Sequence, residues 1–533
     1  MKYVRLLLLC LVVLVINSCK HGKVKPPVVK DTSITKTTSF NELFLDSSQM
    51  VNFLAANKEL SLFAEQYADF YTSRNYQYAW FDSLGLTQQA TNFMNLLQTT
   101  VDNLKDSSLF SRPFLGIKDR LSKKDQPYSK QELLNTEFLL TGQFFLFATK
   151  VYKGSDIDAA ALGWFIPRKK TNLKELLLTT LKADSANAER YTPLNPQYQQ
   201  LQSTLGLYHN LSKQGNWEQF KAPSKSLKPG DTSLLIPSIK KRLQLLGDAT
   251  IMDSSNTYDS SLLLAVRSFQ QRMGLGVDGS IGKKMMEELN VLPSKRIEQI
   301  LLNLERIRWM PKQTDSNYVL VNIPEFKLHV FDSGKQQLEM RVIVGSAANS
   351  TVIFSGNLQY IVFSPYWNVP ESIVSKEILP SMKRNPNYIA NKNMEITGYS
   401  NGLPMVRQKP GAGNSLGLVK FLFPNSHSIY LHDTPNKDLF SESSRSLSHG
   451  CIRLSEPKKF AQYLLREDTA TIWKSKVIDS CMHLSTEKWV TLKKKVPVLL
   501  VYFTAWVDAN GKLNFRKDIY KHDEKLAAKL FTR

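Results

Sequence analysis

Cysteine is scarce in this chain, and its scarcity excludes a fold held together by disulfides. The 533 residues include four cysteines, of which Cys10 and Cys19 lie close to the N-terminus. Only Cys451 and Cys481 remain for the folded part, and a disulfide scaffold of this size needs more. These two could pair with each other, but a disulfide would block Cys451 as a nucleophile. We therefore expect Cys481 to be a buried, inert thiol.

Acidic residues are also in short supply. The chain has 47 aspartates and glutamates against 69 lysines and arginines, which gives a net charge of +22 and a pI near 9.5. Such an excess favours an anionic partner, such as nucleic acid, acidic lipid or an anionic polymer. The N-terminus argues against nucleic acid, because it has the form of an export signal.

The apolar run at the N-terminus is too short for a comfortable permanent membrane span. A basic start, Met1–Arg5, leads into the apolar residues Leu6–Ile16 and then into a small polar stretch that ends at Cys19. This order predicts a signal peptide over residues 1–19. Residues 20–38 are rich in Lys, Pro, Thr and Ser, which predicts a tether without a core of its own.

The letters VINSC, which end at Cys19, resemble a bacterial lipobox. This resemblance implies that Cys19 is acylated and becomes the first residue of the mature chain. The alternative is an ordinary signal peptide that is cleaved elsewhere. We therefore expect an exported protein of the cell envelope or periplasm, held at a membrane by a lipid anchor.

Helical patterns dominate the first half of the chain. Residues 39–228 are predicted to form a helical scaffold domain, and they contain no catalytic constellation. Residues 229–292 show three apolar stripes at helical spacing, which begin at Ile236, Leu262 and Ile281. This region resembles the three-helix peptidoglycan-binding module of cell-wall enzymes, although a connecting bundle without a ligand would share the pattern. Residues 293–316 follow as a connecting helix.

The hydrophobic period changes to two near Asn317, which predicts a mainly β, sandwich-like domain over residues 317–495. A polar, proline-bearing insertion at about 366–410 interrupts it, as a lid beside a site would. Residues 496–533 form a C-terminal segment. The chain as a whole is therefore predicted to be α+β.

Cys451 stands in surroundings that suit a nucleophile. It follows Gly450, so the backbone can turn sharply and present amide donors to a developing oxyanion. His432 lies nineteen residues earlier, at the end of a predicted strand, and an imidazole within reach can take the thiol proton and hold the thiolate as an ion pair. Arg453 adds positive potential that favours a thiolate and carboxylate-bearing substrates.

A zinc site is a competing interpretation. His427, His432, His449 and Cys451 could supply ligands, but no second cysteine or nearby glutamate completes a familiar pattern. We rank metal binding below nucleophilic catalysis. For His449 alone, a supporting role is the preferred interpretation.

The stretch HDTPNKDLFSESSRSLSHGCIRL, residues 432–454, resembles the signature of the L,D-transpeptidase catalytic domain of YkuD type. The segments SPYWNVPESI, KPGAGNSLGLVKFLFPN and VYFTAWVDANGKLNFRKDIY resemble the large murein enzymes of that family, which carry a scaffold, a peptidoglycan-binding module and a lid. The resemblance implies that Cys451 is the nucleophile and His432 the general base, oriented by a carbonyl or hydroxyl rather than by a carboxylate.

The same resemblance implies roles for neighbouring residues. The backbone amides of Gly450 and Cys451 would form the oxyanion site, with Ser448, His449 and Arg453 in support. The predicted substrate-binding residues are Trp367, Asn368 and Tyr430.

The implied reaction needs no cofactor and no metal. The cysteine attacks the L,D amide of a peptidoglycan tetrapeptide stem and releases the terminal D-alanine, and a stem amine then resolves the thioester as a 3→3 crosslink. β-Lactams of the carbapenem class acylate the cysteine of this family. Alternatives are a wall-binding protein without turnover, an L,D-carboxypeptidase that uses water, and a metal-dependent murein peptidase.

Overall fold

The computed structural model describes residues 28–36, 41–121, 127–168, 171–182, 195–250, 253–311, 317–468 and 473–531. The predicted signal peptide with Cys19 and most of the predicted tether lie outside these residues. Within the described part of the chain, no helix combines the length and the apolar composition that crossing a bilayer requires. The chain forms two compact units, residues 1–151 with 171–192, and residues 152–170 with 193–533.

The first unit is helical, as predicted. Its helices and its two short strands are α1 Ser47–Ala56, α2 Ala64–Ser73, β1 Phe81–Asp82, β2 Gly85–Leu86, α3 Gln88–Leu104, α4 Arg112–Leu121, α5 Lys130–Ala148 and α6 Leu173–Lys182. α5 is buried on nearly every side, because its apolar residues are not confined to one face. Thr87 caps the N-terminus of α3 by accepting a hydrogen bond from the Ala90 N–H at 3.3 Å.

The second unit begins with helices that the sequence assigned to the scaffold. They are α7 Pro196–Ser203 and α8 Leu205–Lys213, and both contact α12, the helix Pro293–Trp309 that corresponds to the predicted connecting helix. The two units therefore do not meet at the predicted boundary after residue 228. Packing against α12 places the end of the expected scaffold in the same unit as the residues that follow it.

Three helices occupy the region of the predicted peptidoglycan-binding-like module: α9 Ile236–Leu245, α10 Ser260–Arg272 and α11 Lys283–Leu289. The predicted stripes face inward, since Ile236, Leu262 and Ile281 are fully buried. Gly247 has a φ of +80°, which suits the left-handed turn after α9.

The β domain contains a nine-stranded sheet whose order is β12-β5-β13-β11-β10-β6-β14-β3-β4. Its strands are β3 Tyr318–Asn322, β4 Lys327–Asp332, β5 Lys335–Gly345, β6 Ser355–Phe363, β10 Val419–Leu422, β11 Leu431–His432, β12 Ser446–Ser448, β13 Ile452–Leu454 and β14 Lys488–Val501. β4 also pairs with β5 through a two-residue hairpin, so the sheet closes on itself. The predicted mainly β domain is confirmed. One sheet that closes on itself surrounds its core, where two separate sheets would enclose the core of a sandwich.

The insertion between β6 and β10 folds around its own small core. It comprises β7 Trp367–Asn368, α13 Glu371–Ile373, a π-helical turn at Val374–Ile378, α14 Leu379–Arg384, α15 Tyr388–Asn391, β8 Met394–Ser400 and β9 Leu403–Gln408. Its apolar residues cluster with each other rather than with the main core. We refer to residues 366–410 as the lid.

The last part of the chain belongs to the same unit. α16 Pro457–Leu465 and α17 Ser475–Met482 precede β14, and β15 Ala505–Val507, β16 Leu513–Phe515 and α18 His522–Leu530 follow it. β14 runs through the predicted domain boundary after residue 495, since Val498–Val501 pair with β3 in the central sheet.

Candidate active site

The candidate base His432 lies on β11, and the candidate nucleophile Cys451 directly precedes the neighbouring strand β13. β11 and β13 run parallel, with Leu431 opposite Ile452 and His432 opposite Arg453. Leu431 and Ile452 are fully buried in the core, and successive side chains of a strand point to opposite faces. His432 and Arg453 therefore lie on the other face. Cys451 directly precedes β13, and Tyr430 connects it to His432, because Tyr430 contacts the thiol and its ring lies 5.7 Å from the imidazole between centroids.

Cys451 is a half-buried free thiol. Its Sγ donates a long hydrogen bond to Ser428 O at 3.7 Å, and Tyr430 lies beside it because the Ile452 N–H donates to Tyr430 O at 3.1 Å. Burial raises the pKa of the Cys451 thiol, and hydrogen bonds from Tyr430 and the charge of Arg453 offset this only in part. The thiol is therefore protonated at neutral pH.

His432 is buried, with an exposed fraction of 5%. Its Nδ1 lies 2.5 Å from the backbone oxygen of Asp433, which requires a proton on Nδ1, and the backbone of Leu416 is a second hydrogen-bond partner of the ring. The Asp433 carboxylate is occupied elsewhere, since it accepts from the Leu418 N–H at 2.9 Å and pairs with Lys437. A carbonyl thus orients the imidazole, in agreement with the family resemblance.

Burial favours the neutral forms of both Cys451 and His432. Burial, followed by the charge of Arg453, lowers the pKa of His432 to about 3. Burial thus acts against the predicted thiolate–imidazolium ion pair before substrate binds, because it disfavours the charged form of both groups.

The turn that carries the cysteine is fixed by hydroxyl groups. Gly450 has a φ of +117°, a conformation that favours glycine. The Ser448 hydroxyl donates to Cys451 O at 2.6 Å and accepts from the Gly450 N–H at 3.1 Å. Of the two predicted oxyanion donors, Gly450 is thus already engaged. The Cys451 N–H has no hydrogen-bond partner in the part of the chain that the structure describes.

Residues 316–478 match the family described as "L,D-transpeptidase catalytic domain", YkuD. This part of the chain is an L,D-transpeptidase catalytic domain. Residues 65–205 match a "Scaffold domain" and residues 234–289 match a "Putative peptidoglycan binding domain". These matches confirm the family and the order of domain types that the sequence indicated.

Known proteins resemble this chain to different degrees. A "Putative L,D-transpeptidase" of Haemophilus influenzae is 32% identical over 246 residues, which cover 43% of this chain and 49% of that protein. The chain thus spans about half the length of this relative. An L,D-transpeptidase structure from Stackebrandtia nassauensis is 14% identical, covers 53% of this chain and 97% of its own, and has a TM-score of 0.23. L,D-transpeptidase 3 of Mycobacterium tuberculosis, with a faropenem-derived adduct, is 15% identical, covers 36% and 61%, and has a TM-score of 0.19.

The other predicted site residues of the L,D-transpeptidase domain are placed as follows. The imidazole of His449 lies 2.8 Å from the Glu377 carboxylate, which belongs to the lid. Trp367 packs against the apolar cluster of the lid, and Asn368 is exposed on β7 opposite Arg407. Tyr430, by contrast, lies directly at the thiol.

The structure also bears on two alternatives that the sequence left open, a Cys451–Cys481 disulfide and a zinc site. Cys481 is buried and unpaired, and Cys451 is free, so they form no disulfide. His427 packs against the ring of Phe354, with 4.9 Å between ring centroids. Within the described ranges, no three histidine, cysteine or carboxylate side chains converge as a metal site would require.

One residue at the site was missed. Lys420 on β10 pairs with His432 in the sheet, but its Nζ lies toward the ring of Trp489, 5.8 Å from the centroid, so Arg453 is the nearer cation to the imidazole. Burial lowers the pKa of Lys420, and its Nζ donates to Tyr366 O at 3.3 Å. The signal was a lone lysine within the apolar strand sequence LVKFLF.

Proposed function

We propose that this protein is a peptidoglycan L,D-transpeptidase that forms 3→3 crosslinks through a thioester on Cys451. One observation carries the proposal. Cys451 directly precedes the strand that pairs in parallel with the strand of His432, Tyr430 contacts both residues, and the Cys451 N–H is unengaged. These are the parts that acyl transfer needs: a nucleophile, a base and a donor for the oxyanion.

In the first half-reaction the sulfur attacks the carbonyl carbon of the L,D amide in a tetrapeptide stem. His432 Nε2 accepts the thiol proton as the C–S bond forms, and the Cys451 N–H stabilises the oxyanion. Collapse of the intermediate breaks the C–N bond, and the imidazolium protonates the departing amine of D-alanine. The imidazole starts neutral, so the proton moves during attack rather than before it.

In the second half-reaction a side-chain amine of a neighbouring stem attacks the thioester carbonyl. His432 accepts a proton from that amine, the new amide bond forms, the C–S bond breaks and the sulfur regains its proton. The lid contacts the catalytic turn through Glu377 and His449. A closed lid would limit the access of water and favour the amine as acceptor.

The charges of the site suit an anionic donor. Arg453 lies opposite His432, and its buried Nε has no hydrogen-bond partner within the residues described. Stem peptides carry carboxylates, which would satisfy this cation.

A carbapenem tests the nucleophile. Mass spectrometry of the treated protein should find one adduct on the peptide that contains Cys451. Cys451→Ala should abolish both the adduct and crosslinking, whereas Cys481→Ala, the matched control at the other free thiol, should retain both. An adduct that persists in Cys451→Ala would exclude the proposed chemistry.

A second experiment tests the product. Purified protein is incubated with disaccharide-tetrapeptides, and fragmentation spectra of the dimers locate the crosslink. We expect 3→3 dimers with loss of one D-alanine per dimer. Release of D-alanine without dimers would instead identify an L,D-carboxypeptidase, and activity that a chelator abolishes would favour a metal-dependent peptidase.

We also propose that the protein works at the cell envelope. The match at residues 234–289 and the expected acylation of Cys19 would hold the enzyme beside an immobile polymer, where tethering raises its effective concentration. A fatty-acid probe should label the wild type, and Cys19→Ser should remove the label. Labelling that persists in Cys19→Ser would contradict the anchor.

A further inference from the structure

The peptide bond between Gly450 and Cys451 carries the N–H group that the proposed mechanism uses for the oxyanion. In a trans peptide, the C=O and N–H groups point in opposite directions within one plane. Whatever fixes the Gly450 carbonyl therefore aims the Cys451 N–H. The Thr351 hydroxyl donates to this carbonyl at 2.8 Å.

Thr351 is itself held tightly. It is buried, with an exposed fraction of 1%, and its Oγ1 accepts a hydrogen bond from the Gly345 N–H at 2.9 Å. The hydroxyl proton is thus directed away from Gly345 and toward the Gly450 carbonyl. Thr351 lies one hundred residues before Cys451, so the sequence gives no local signal of this contact.

Tyr520 holds Thr351 from the C-terminal part of the chain. Its hydroxyl accepts from the Thr351 N–H at 3.3 Å and donates to Gly345 O at 2.5 Å. Its own position is fixed because the Tyr520 N–H donates to the Tyr502 hydroxyl at 2.9 Å. Tyr502 in turn donates to the Asp518 carboxylate at 2.7 Å.

A close backbone approach completes the support. A Cβ atom on Gly345 would lie 2.0 Å from Asn349 O, so the chain can pass there only as glycine. The end of β5, the loop to Thr351 and the Ser448 turn are therefore packed backbone against backbone, and Ser346 N–H donates to Ser448 O at 2.8 Å.

We propose that Thr351 and Tyr520 are positioning residues that aim the Cys451 N–H at the oxyanion. Neither side chain touches the substrate or the sulfur. The inference rests on the proposed function, and it assigns a catalytic consequence to Tyr520, which lies outside the 316–478 match.

Three variants test this. Thr351→Val keeps the shape and removes the hydroxyl, Thr351→Ser keeps the hydroxyl as the conservative rescue, and Tyr520→Phe removes only the phenolic oxygen. For each, carbapenem acylation of Cys451 is compared with iodoacetamide alkylation of the same residue, followed by mass spectrometry. Acylation passes through an oxyanion, whereas alkylation displaces iodide and does not.

We expect the acylation rate constant to fall about 10- to 100-fold in Thr351→Val, because an oxyanion donor and its alignment contribute on this scale. In Tyr520→Phe the acylation rate constant should fall about tenfold, because Tyr520 orients the Cys451 N–H only indirectly, through Thr351. Thr351→Ser should stay close to the wild type. Alkylation should be unchanged in all three, and the loss should appear in the rate constant rather than in the affinity for the carbapenem.

The result that would overturn the inference is wild-type acylation in both Thr351→Val and Tyr520→Phe. Equal losses of acylation and alkylation would also overturn it, since they would mean general damage to the site. Tyr520→Phe keeps the test informative if Thr351→Val fails to fold. A wild-type protein that no carbapenem acylates would contradict the proposed function instead.

Discussion

The neutral resting state of the catalytic pair leads to a prediction about pH. An unperturbed histidine is about one-quarter protonated at pH 7, but a pKa of about 3 reduces the fraction for His432 to roughly one in ten thousand. An unperturbed thiol is about 3% ionised at pH 7, and the raised pKa of Cys451 lowers this fraction further.

The assay measures the iodoacetamide alkylation rate of Cys451 between pH 5 and pH 10, with the modified peptide quantified by mass spectrometry. Alkylation consumes the thiolate, so we expect about a tenfold increase per pH unit from pH 6 to beyond pH 8.5. Cys451→Ala provides the background. A thiolate–imidazolium ion pair would instead give a rate independent of pH between 6 and 8, and that plateau would refute the reasoning.

An imidazole can accept the thiol proton during attack, or it can ionise the thiol before substrate binds. Replacement of His432 distinguishes these two functions. If His432 acts only during attack, His432→Ala should lower carbapenem acylation about 10²- to 10⁴-fold, which is the usual contribution of a general base. The alkylation rate at pH 7 should change little, because His432 does not ionise the resting thiol. A parallel collapse of both rates would mean that the ion pair exists.

Three further predictions concern other contacts. Gly450→Ala should reduce acylation more than tenfold and lower the melting temperature by a few degrees, because φ of +117° strains any other residue by about 1–3 kcal/mol. His449→Ala should reduce acylation less than about fivefold, and less at high salt, since its pair with Glu377 is half exposed and such pairs contribute about 0–1 kcal/mol. In the first unit, burial raises the pKa of Glu137 to about 7. The folded state holds that proton more tightly than the unfolded state does, so the unfolding free energy from urea titration should fall by about 2–3 kcal/mol from pH 5 to pH 8, and Glu137→Gln should remove this difference.

Much of the fold followed from the spacing of apolar residues. The change of period near Asn317 marks the start of β3 at Tyr318, and the DSGK turn closes the hairpin in which Asp332 pairs with Lys335. The stripe that begins at Ile236 is α9. Domain boundaries were less accessible, because the packing of α7 and α8 on α12 joins residues about one hundred positions apart.

The nucleophile and the base could be predicted because a short motif contains both. The charge state of the pair could not, because it depends on the burial of His432 and on Arg453, which the fold places directly across from it. The hydrogen bonds that support the turn at Gly450 could not be predicted from the sequence either. No sequence motif marks Thr351 or Tyr520, and only the folded chain brings Thr351 to Gly450 and Tyr520 to Thr351.

The hairpin that joins β4 to β5 has a consequence for self-association. Strands with unpaired backbone groups recruit strands from other molecules, and closed sheets avoid this. In the nine-stranded sheet, each described strand except the three-residue β12 has a neighbour on both sides. Opening that hairpin would expose two long β-prone segments at once, and the first damage would then be fibrous or amorphous aggregation rather than a slower enzyme.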